Sequence, residues 1–157
     1  MEFLTNHEII LSARRNATGP VWDYVCVGSE SETAMRRNRL ALDSIALRPR
    51  VLCDVSNIDP STTILGHKSR LPMFLAPVAS LQLIHPEGAK AADDAAEEFG
   101  IINMLSGHTQ PGYKEIGANS PHTKIYQIYV RGDDDWIREL LDGVKEAGFA
   151  ALTVTVD

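Results

Sequence analysis

The stretch "KIYQIYVRGDDDWIRELLDGVKEAGFAALTVTVD", residues 124–157, decides the fold. "KIYQIYV" (124–130) and "FAALTVTV" (149–156) are apolar runs of strand length. Between them Trp136, Ile137, Leu140, Leu141 and Val144 recur at helical spacing. Asp133 to Asp135 stand where a helix N-terminus carries partial positive charge, and Lys145 precedes the stop at Gly148. Strand, helix, strand in this order predicts a parallel pair joined by a right-handed crossover.

The same alternation extends upstream. "MFLAP" (73–77) and "IINML" (101–105) are two further strand-sized runs. Between these, Pro86 is expected at the first helical position, Ala91, Ala92, Ala95, Ala96 and Phe99 form an apolar stripe, and Gly100 ends it. Repeated units of this kind specify an α/β architecture, either a doubly wound open sheet or a β/α barrel. Order alone does not choose between them. A barrel takes about 250 residues, and only about a third of that runs from Leu71 onward, so the barrel reading requires this sequence to be part of one. Up to about Arg70 the pattern differs: helix signals, with Ser29 to Leu47 the longest and "RPR" (48–50) stopping it, then short extended pieces. The expected division is therefore residues 1–70, a helical segment and extended arm, and residues 71–157, four strands of the sheet.

Composition narrows the class. The 157 residues are 44% hydrophobic, enough for a sizeable core, and the formal charge of −6 argues against a nucleic-acid or anionic-membrane surface. Arg36, Arg37, Arg39, Arg48 and Arg50 cluster, which reads as a solvated helix face. The opening "MEFLTNHEII" has Glu2 where a secretory signal is basic, and no window reaches the roughly 18 apolar residues of a membrane span. Cys26 and Cys53 make neither a disulfide framework nor a metal quartet. A reducing, cytoplasmic setting is the expectation. His7, His67, His85, His108 and His122 lack metal-ligand spacing, so no metal is expected. There is no nucleophile elbow, P-loop or dinucleotide fingerprint.

Strand parity places the candidate site. Gln127 and Tyr129 project to one side of the third strand, and Tyr126, Ile128 and Val130 to the other. On the fourth strand Thr153, Thr155 and Asp157 share a face, leaving Leu152, Val154 and Val156 to meet helices. Ligands of α/β folds bind outside the carboxyl ends of the strands, where Gln127, Tyr129, Thr155 and Asp157 all fall. Ser106-Gly107-His108 follows the second strand and enters the same end. The competing reading is of interior polar residues that bond each other or water.

These residues resemble the FMN-dependent 2-hydroxy acid oxidases and dehydrogenases, the family of glycolate oxidase, lactate oxidase and the flavocytochrome that oxidises lactate. The resemblance is carried by "WDYVCVGSESE" (22–32), "RPRVLCDVSNIDPSTTILG" (48–66), "LPMFLAPVA" (71–79), "HPEG" (85–88), "YQIYV" (126–130) and "ALTVTVD" (151–157). It implies the N-terminal half of an eight-stranded (β/α)8 TIM-type barrel, preceded by a helical segment and ending at the fourth strand. It implies FMN as cofactor, with Pro77, Val78 and Ala79 along the flavin edge and Ser106, Gln127 and Thr155 hydrogen-bonded to the ring. Val78 stands where many relatives carry Thr, losing a hydroxyl and keeping the backbone contact. Tyr24 would contact the substrate carboxylate and Tyr129 its hydroxy-acid end, while Asp157 would bond the catalytic histidine.

His108 occupies a position where members differ and which shapes the substrate pocket; a histidine there points to a polar group or second carboxylate on the substrate. The resemblance places the base histidine, the carboxylate-clamping arginines and the lysine beside the flavin on later strands, with the phosphate site after the seventh and eighth. The expected activity is oxidation of small (S)-2-hydroxy acids to 2-oxo acids, absent from the isolated chain. The expected partner is a complementary C-terminal half or a second copy. The alternative is a non-catalytic half-barrel that associates through open strand edges.

Overall fold

The computed structural model describes residues 3–156 and divides the chain into two units, Met1–Asn57 and Ile58–Asp157. Asp157, expected to meet the catalytic histidine, lies outside the described residues.

The first unit contains helices α1 (Asn6–Asn16), α2 (Gly19–Cys26) and α3 (Thr33–Asp43). Thr5 caps α1, its hydroxyl accepting from the Glu8 amide at 3.3 Å, and Arg14 and Arg15 complement the dipole in the last turn. The Arg14 guanidinium also lies 5.1 Å from the Trp22 ring centroid. The helix expected over residues 29–47 is shorter, because Glu30 and Glu32 adopt positive φ and the chain turns before Thr33. The five arginines are solvated, but only Arg36, Arg37 and Arg39 share a helix, Arg48 and Arg50 lying past the end of α3; Arg39 pairs with Asp43.

In the second unit a hairpin of β1 (Thr62–Ile64) and β2 (His67–Ser69) precedes the sheet strands β3 (Phe74–Leu75), β4 (Ile102–Ser106), β5 (Lys124–Ile128) and β6 (Ala151–Val154). The sheet is parallel throughout and ordered β3-β4-β5-β6. The second unit includes the hairpin. The reason is local: the Arg70 amide donates to the Gly100 carbonyl at 2.8 Å and Thr123 Oγ1 lies 3.4 Å from His67 Nδ1, tying the hairpin to the sheet.

The crossovers are α4 (Ala89–Phe99), α5 (Tyr113–Asn119) and α6 (Asp134–Glu146). Helix α4 begins after Gly88, not at Pro86, and ends on Gly100 at φ 74°. Asp133 caps α6 by accepting from the Trp136 amide at 3.0 Å, as the acidic run predicts. Helices α5 and α6 pack closely: a Cβ on Gly117 would lie 2.4 Å from the Ala147 carbonyl oxygen. Registers Leu105↔Tyr126 and Ile128↔Val154 set the helix-facing side, where Leu105, Ile116, Tyr126, Ile128 and Val144 form the core. Each of these aliphatic side chains contributes about 2 kcal/mol by burial, more than an exposed pair such as Arg39–Asp43. Leu152 and Val154 share that side, yet they are 38% and 46% exposed because no described helix covers β6 beyond α6.

At the amino ends of the strands sits a buried charge. Asp93 of α4 is fully buried and accepts from Asn103 Nδ2 and Asn119 Nδ2, each at 3.0 Å. Lys124 Nζ, itself buried, lies 3.9 Å from Asp93 Oδ2 and donates to the Ser120 carbonyl. Such compensation is what makes an interior carboxylate tolerable. His122 Nε2 lies 3.3 Å from Asp93 Oδ1 with no hydrogen-bond partner, and burial holds the imidazole below its ordinary pKa, only partly offset by Asp93 and nearby Glu97 and Asp94. Because the unfolded chain binds this proton more readily, the contribution of neutral His122 is complete above about pH 6.5 and declines as pH falls towards the lower folded value. Urea midpoints measured at pH 7.5 and pH 5.5 should drop more for the wild type than for His122→Gln; parallel drops would dissociate His122 from the acid sensitivity.

Candidate functional site at the carboxyl ends of the strands

Parity on β4, β5 and β6 directs Ser106, Gln127 and Thr155 away from the helices, and the three side chains meet. Ser106 Oγ donates to Gln127 Oε1 at 2.9 Å, and Gln127 Nε2 donates to Thr155 Oγ1 at 2.6 Å. The Gly107 amide also reaches Gln127 Oε1, at 3.3 Å. A backbone N–H only donates, so the oxygen of the amide faces Gly107 and the nitrogen faces Thr155. The His108 amide donates to Ser106 Oγ at 3.2 Å. The row thus runs in one direction: Ser106 and Gln127 each accept from one side and donate to the other, and Thr155 Oγ1 accepts at its end. Ser106 and Gln127 are buried, at 4% and 3% exposure, so leaving either without partners would be costly.

Backbone bonds bring the same strand ends together. The Gly107 amide donates to the Gln127 carbonyl at 2.8 Å and the Thr155 amide to the Ile128 carbonyl at 3.0 Å. A side chain at 107 would collide there, since its Cβ would lie 2.8 Å from the Gln127 carbonyl oxygen.

Beyond the row, His108 stacks on Tyr129 with ring centroids 4.7 Å apart and an interplanar angle of 11°. Arg131 Nη2 lies 3.3 Å from His108 Nδ1. Sequence reasoning passed over Arg131, although it continues the Gln127–Tyr129 parity by one further step of two. Pro77, Val78 and Ala79 form the segment after β3, with Val78 half-exposed. Immediately after them the Ser80 amide donates to the His108 carbonyl at 3.0 Å, linking this loop to the one that follows β4. Tyr24 lies on α2 in the first unit and is 60% exposed. Among the described residues no group of three or more His, Cys, Asp or Glu could hold a metal ion. No described helix is long and apolar enough to cross a membrane.

A family model described as FMN-dependent dehydrogenase matches residues 13–157. Glycolate oxidase of Spinacia oleracea is 36% identical over 157 residues, covering 100% of this chain and 42% of the relative. Glycolate oxidase 3 of Arabidopsis thaliana is 35% identical, covering 100% of this chain and 43% of its own length. Among solved structures, mandelate oxidase superposes with a TM-score of 0.90 at 29% identity, covering 99% of this chain and 45% of that one. A structure of mandelate oxidase with benzoyl-formic acid gives 0.91, also at 29% identity, over 99% and 46%. The chain therefore spans less than half the length of the proteins it matches.

Gln127→Leu keeps the side-chain volume and removes both ends of the amide. Ser106 and Thr155 lose a buried partner, and the expected cost is about 1–3 kcal/mol, read as a lower urea midpoint with an unchanged slope. A wild-type midpoint in this variant would show that the row carries no stability.

Proposed function

The chain belongs to the FMN-dependent dehydrogenase family, and from that premise we propose that it supplies the first half of the flavin and substrate site of an (S)-2-hydroxy acid oxidase or dehydrogenase. The observation that carries this reading is the Ser106–Gln127–Thr155 row, three strand ends joined into one polarised line of hydrogen bonds.

The donor set suits FMN. Thr155 Oγ1 accepts from Gln127, so its own hydrogen remains to donate, and Gln127 Nε2 carries a second hydrogen besides the one given to Thr155. The isoalloxazine ring would lie against Ser106, Gln127 and Thr155, with Pro77, Val78 and Ala79 along its edge. When bound, FMN supplies a two-electron acceptor, and donors fixed in place beforehand stabilise the negative charge that accompanies reduction. Substrate oxidation removes two electrons and two protons, turning the carbinol carbon into a carbonyl. Tyr129 would donate its phenolic hydrogen to the hydroxyl oxygen of the substrate, its ring held by the stack with His108. Tyr24 would hold the substrate carboxylate. Asp157 would orient the histidine that accepts a proton, a group assigned to the part of the relatives' length that these residues do not span. The setting proposed is cytoplasmic.

The half-site carries consequences for the isolated polypeptide. Without the phosphate anchor, the arginine clamp and the proton acceptor, the 157-residue chain should hold FMN weakly and leave hydroxy acids unchanged. Half-exposed Leu152 and Val154 on β6 support a second reading, in which the chain associates through this edge with a complementary half or another copy.

Fluorescence titration of the chain with FMN should show little quenching. Adding the C-terminal portion of the spinach glycolate oxidase should yield a yellow complex that oxidises glycolate. A colourless, discrete dimer would favour the interaction module instead, and a yellow, active monomer of the chain alone would refute the half-site reading.

A further inference from the structure

Behind the Ser106–Gln127–Thr155 row, on the helix-facing side of β5, lies a cavity of about 70 Å³. Tyr126 and Ile128 of β5 and Leu140 of α6 give it apolar walls, while Gly107, His108 and Arg131 line the end nearest the loops. Its volume is about two waters' share of the liquid, room for one small ion. Tyr126 is 6% exposed, and its ring is held edge-on by Tyr113 and Phe149, with centroids 5.6 and 5.7 Å away. The hydroxyl reaches the strand end, since a Cβ on Gly107 would lie 3.1 Å from the phenolic oxygen. Among the described residues that hydroxyl has no hydrogen-bond partner: the Gly107 amide is given to Gln127, and Arg131 Nη2 to His108 Nδ1. Burial pushes the Tyr126 phenol above its ordinary pKa, Tyr113 adds to the rise, and the positive charge of Arg131 pulls part of it back. The phenol is therefore a standing donor within the field of the guanidinium. Arg131 has no carboxylate within 4.0 Å among the described residues, and Asp133, close to it in sequence, is committed to the α6 cap through the Trp136 amide.

We propose that this cavity is a site for a small inorganic monoanion, of which chloride is the simplest, held between the Tyr126 hydroxyl and the Arg131 guanidinium. An anion accepts from both groups at once, whereas a cation would meet the guanidinium charge. The Ile128 and Leu140 walls keep the local dielectric low, which strengthens a hydrogen bond to a charged acceptor. A buried phenol without a partner is costly, and the ion would satisfy it. Occupancy also has a structural consequence. It ties the loop that carries Arg131 to the strand that carries Tyr126, directly beside Tyr129 and without using the groups proposed to hold flavin or substrate.

The test follows the Gly107 amide and the indole of Trp136, which also lines the cavity, by NMR of the 157-residue chain while sodium chloride replaces sodium gluconate at constant ionic strength. Both signals should move together and saturate with chloride. Tyr126→Phe removes only the hydroxyl and Arg131→Gln removes the charge; each should raise the half-saturating concentration about tenfold or more, the loss of one hydrogen bond to a charged group. Arg131→Lys should keep part of the response. A second measurement needs no assigned protein signal: the NMR line of chloride itself should be broadened more by the wild type than by the double variant Tyr126→Phe, Arg131→Gln. Signals that drift without saturating, a chloride response that both substitutions leave unchanged, or equal chloride line widths for the two proteins would overturn the proposal. Saturation of the same signals by glycolate in competition with chloride would overturn it too, assigning the cavity to an organic acid.

Discussion

One amide organises the carboxyl end of the sheet. Gln127 sits between two neighbouring strands, and its two ends are chemically different, so it can only accept on the β4 side and donate on the β6 side once Gly107 has chosen the oxygen. Its burial makes that choice firm, because an amide turned the wrong way would set N–H against N–H with no water to compensate. Register and polarity are thereby coupled. A slip of one residue along β5 would exchange Gln127 for Tyr126 or Ile128 and bring core side chains to the face meant for a ligand.

The two ends of the strands have separate tasks. At the amino end Asp93 draws Asn103, Asn119 and Lys124 together, and the links it makes tie its own helix α4 to two strands and one further helix. That arrangement is a structural clamp, and its charge is neutralised inside the unit. At the carboxyl end the groups are arranged differently: Arg131 reaches only His108 Nδ1 and the hydroxyl hydrogen of Thr155 is left without a protein partner among the described residues, and Tyr129 is 39% exposed. Unspent donors at a rigid, partly open face are what a ligand site needs, and in β/α barrels that face is the carboxyl end.

Much of this could be read before any coordinates. Parity alone put Gln127 and Thr155 on one face, because β5 and β6 are regular and their alternation is uninterrupted. Helix α6 was visible through its cap, stripe and stop. Helix α5 was not, since Tyr113–Asn119 is seven residues long, contains Gly117 and offers too few turns for a periodic signal. The hairpin was seen only as extended chain, its ties to the sheet being made by distant residues. The Asp93 cluster joins residues far apart in sequence, so no local pattern announces it.

The placement of Pro77, Val78 and Ala79 shows how little of a loop's position comes from its own strand. Strand β3 is Phe74–Leu75, two residues paired to Ile102 and Asn103, too short to aim the segment that follows. The aim comes from the loop after β4. Ser80 and Leu81 donate to the His108 carbonyl and Thr109 Oγ1, Gln82 Oε1 accepts from the Gln110 amide at 3.1 Å, and the Ala89 amide donates to the Gln110 carbonyl at 2.8 Å. Gly88 permits the last contact, because a Cβ there would stand 2.0 Å from the Gln110 oxygen. The segment along the proposed flavin edge is thus hung from the strand that bears Ser106, and a change at Gly88 or Thr109 would be felt at Val78 without touching it.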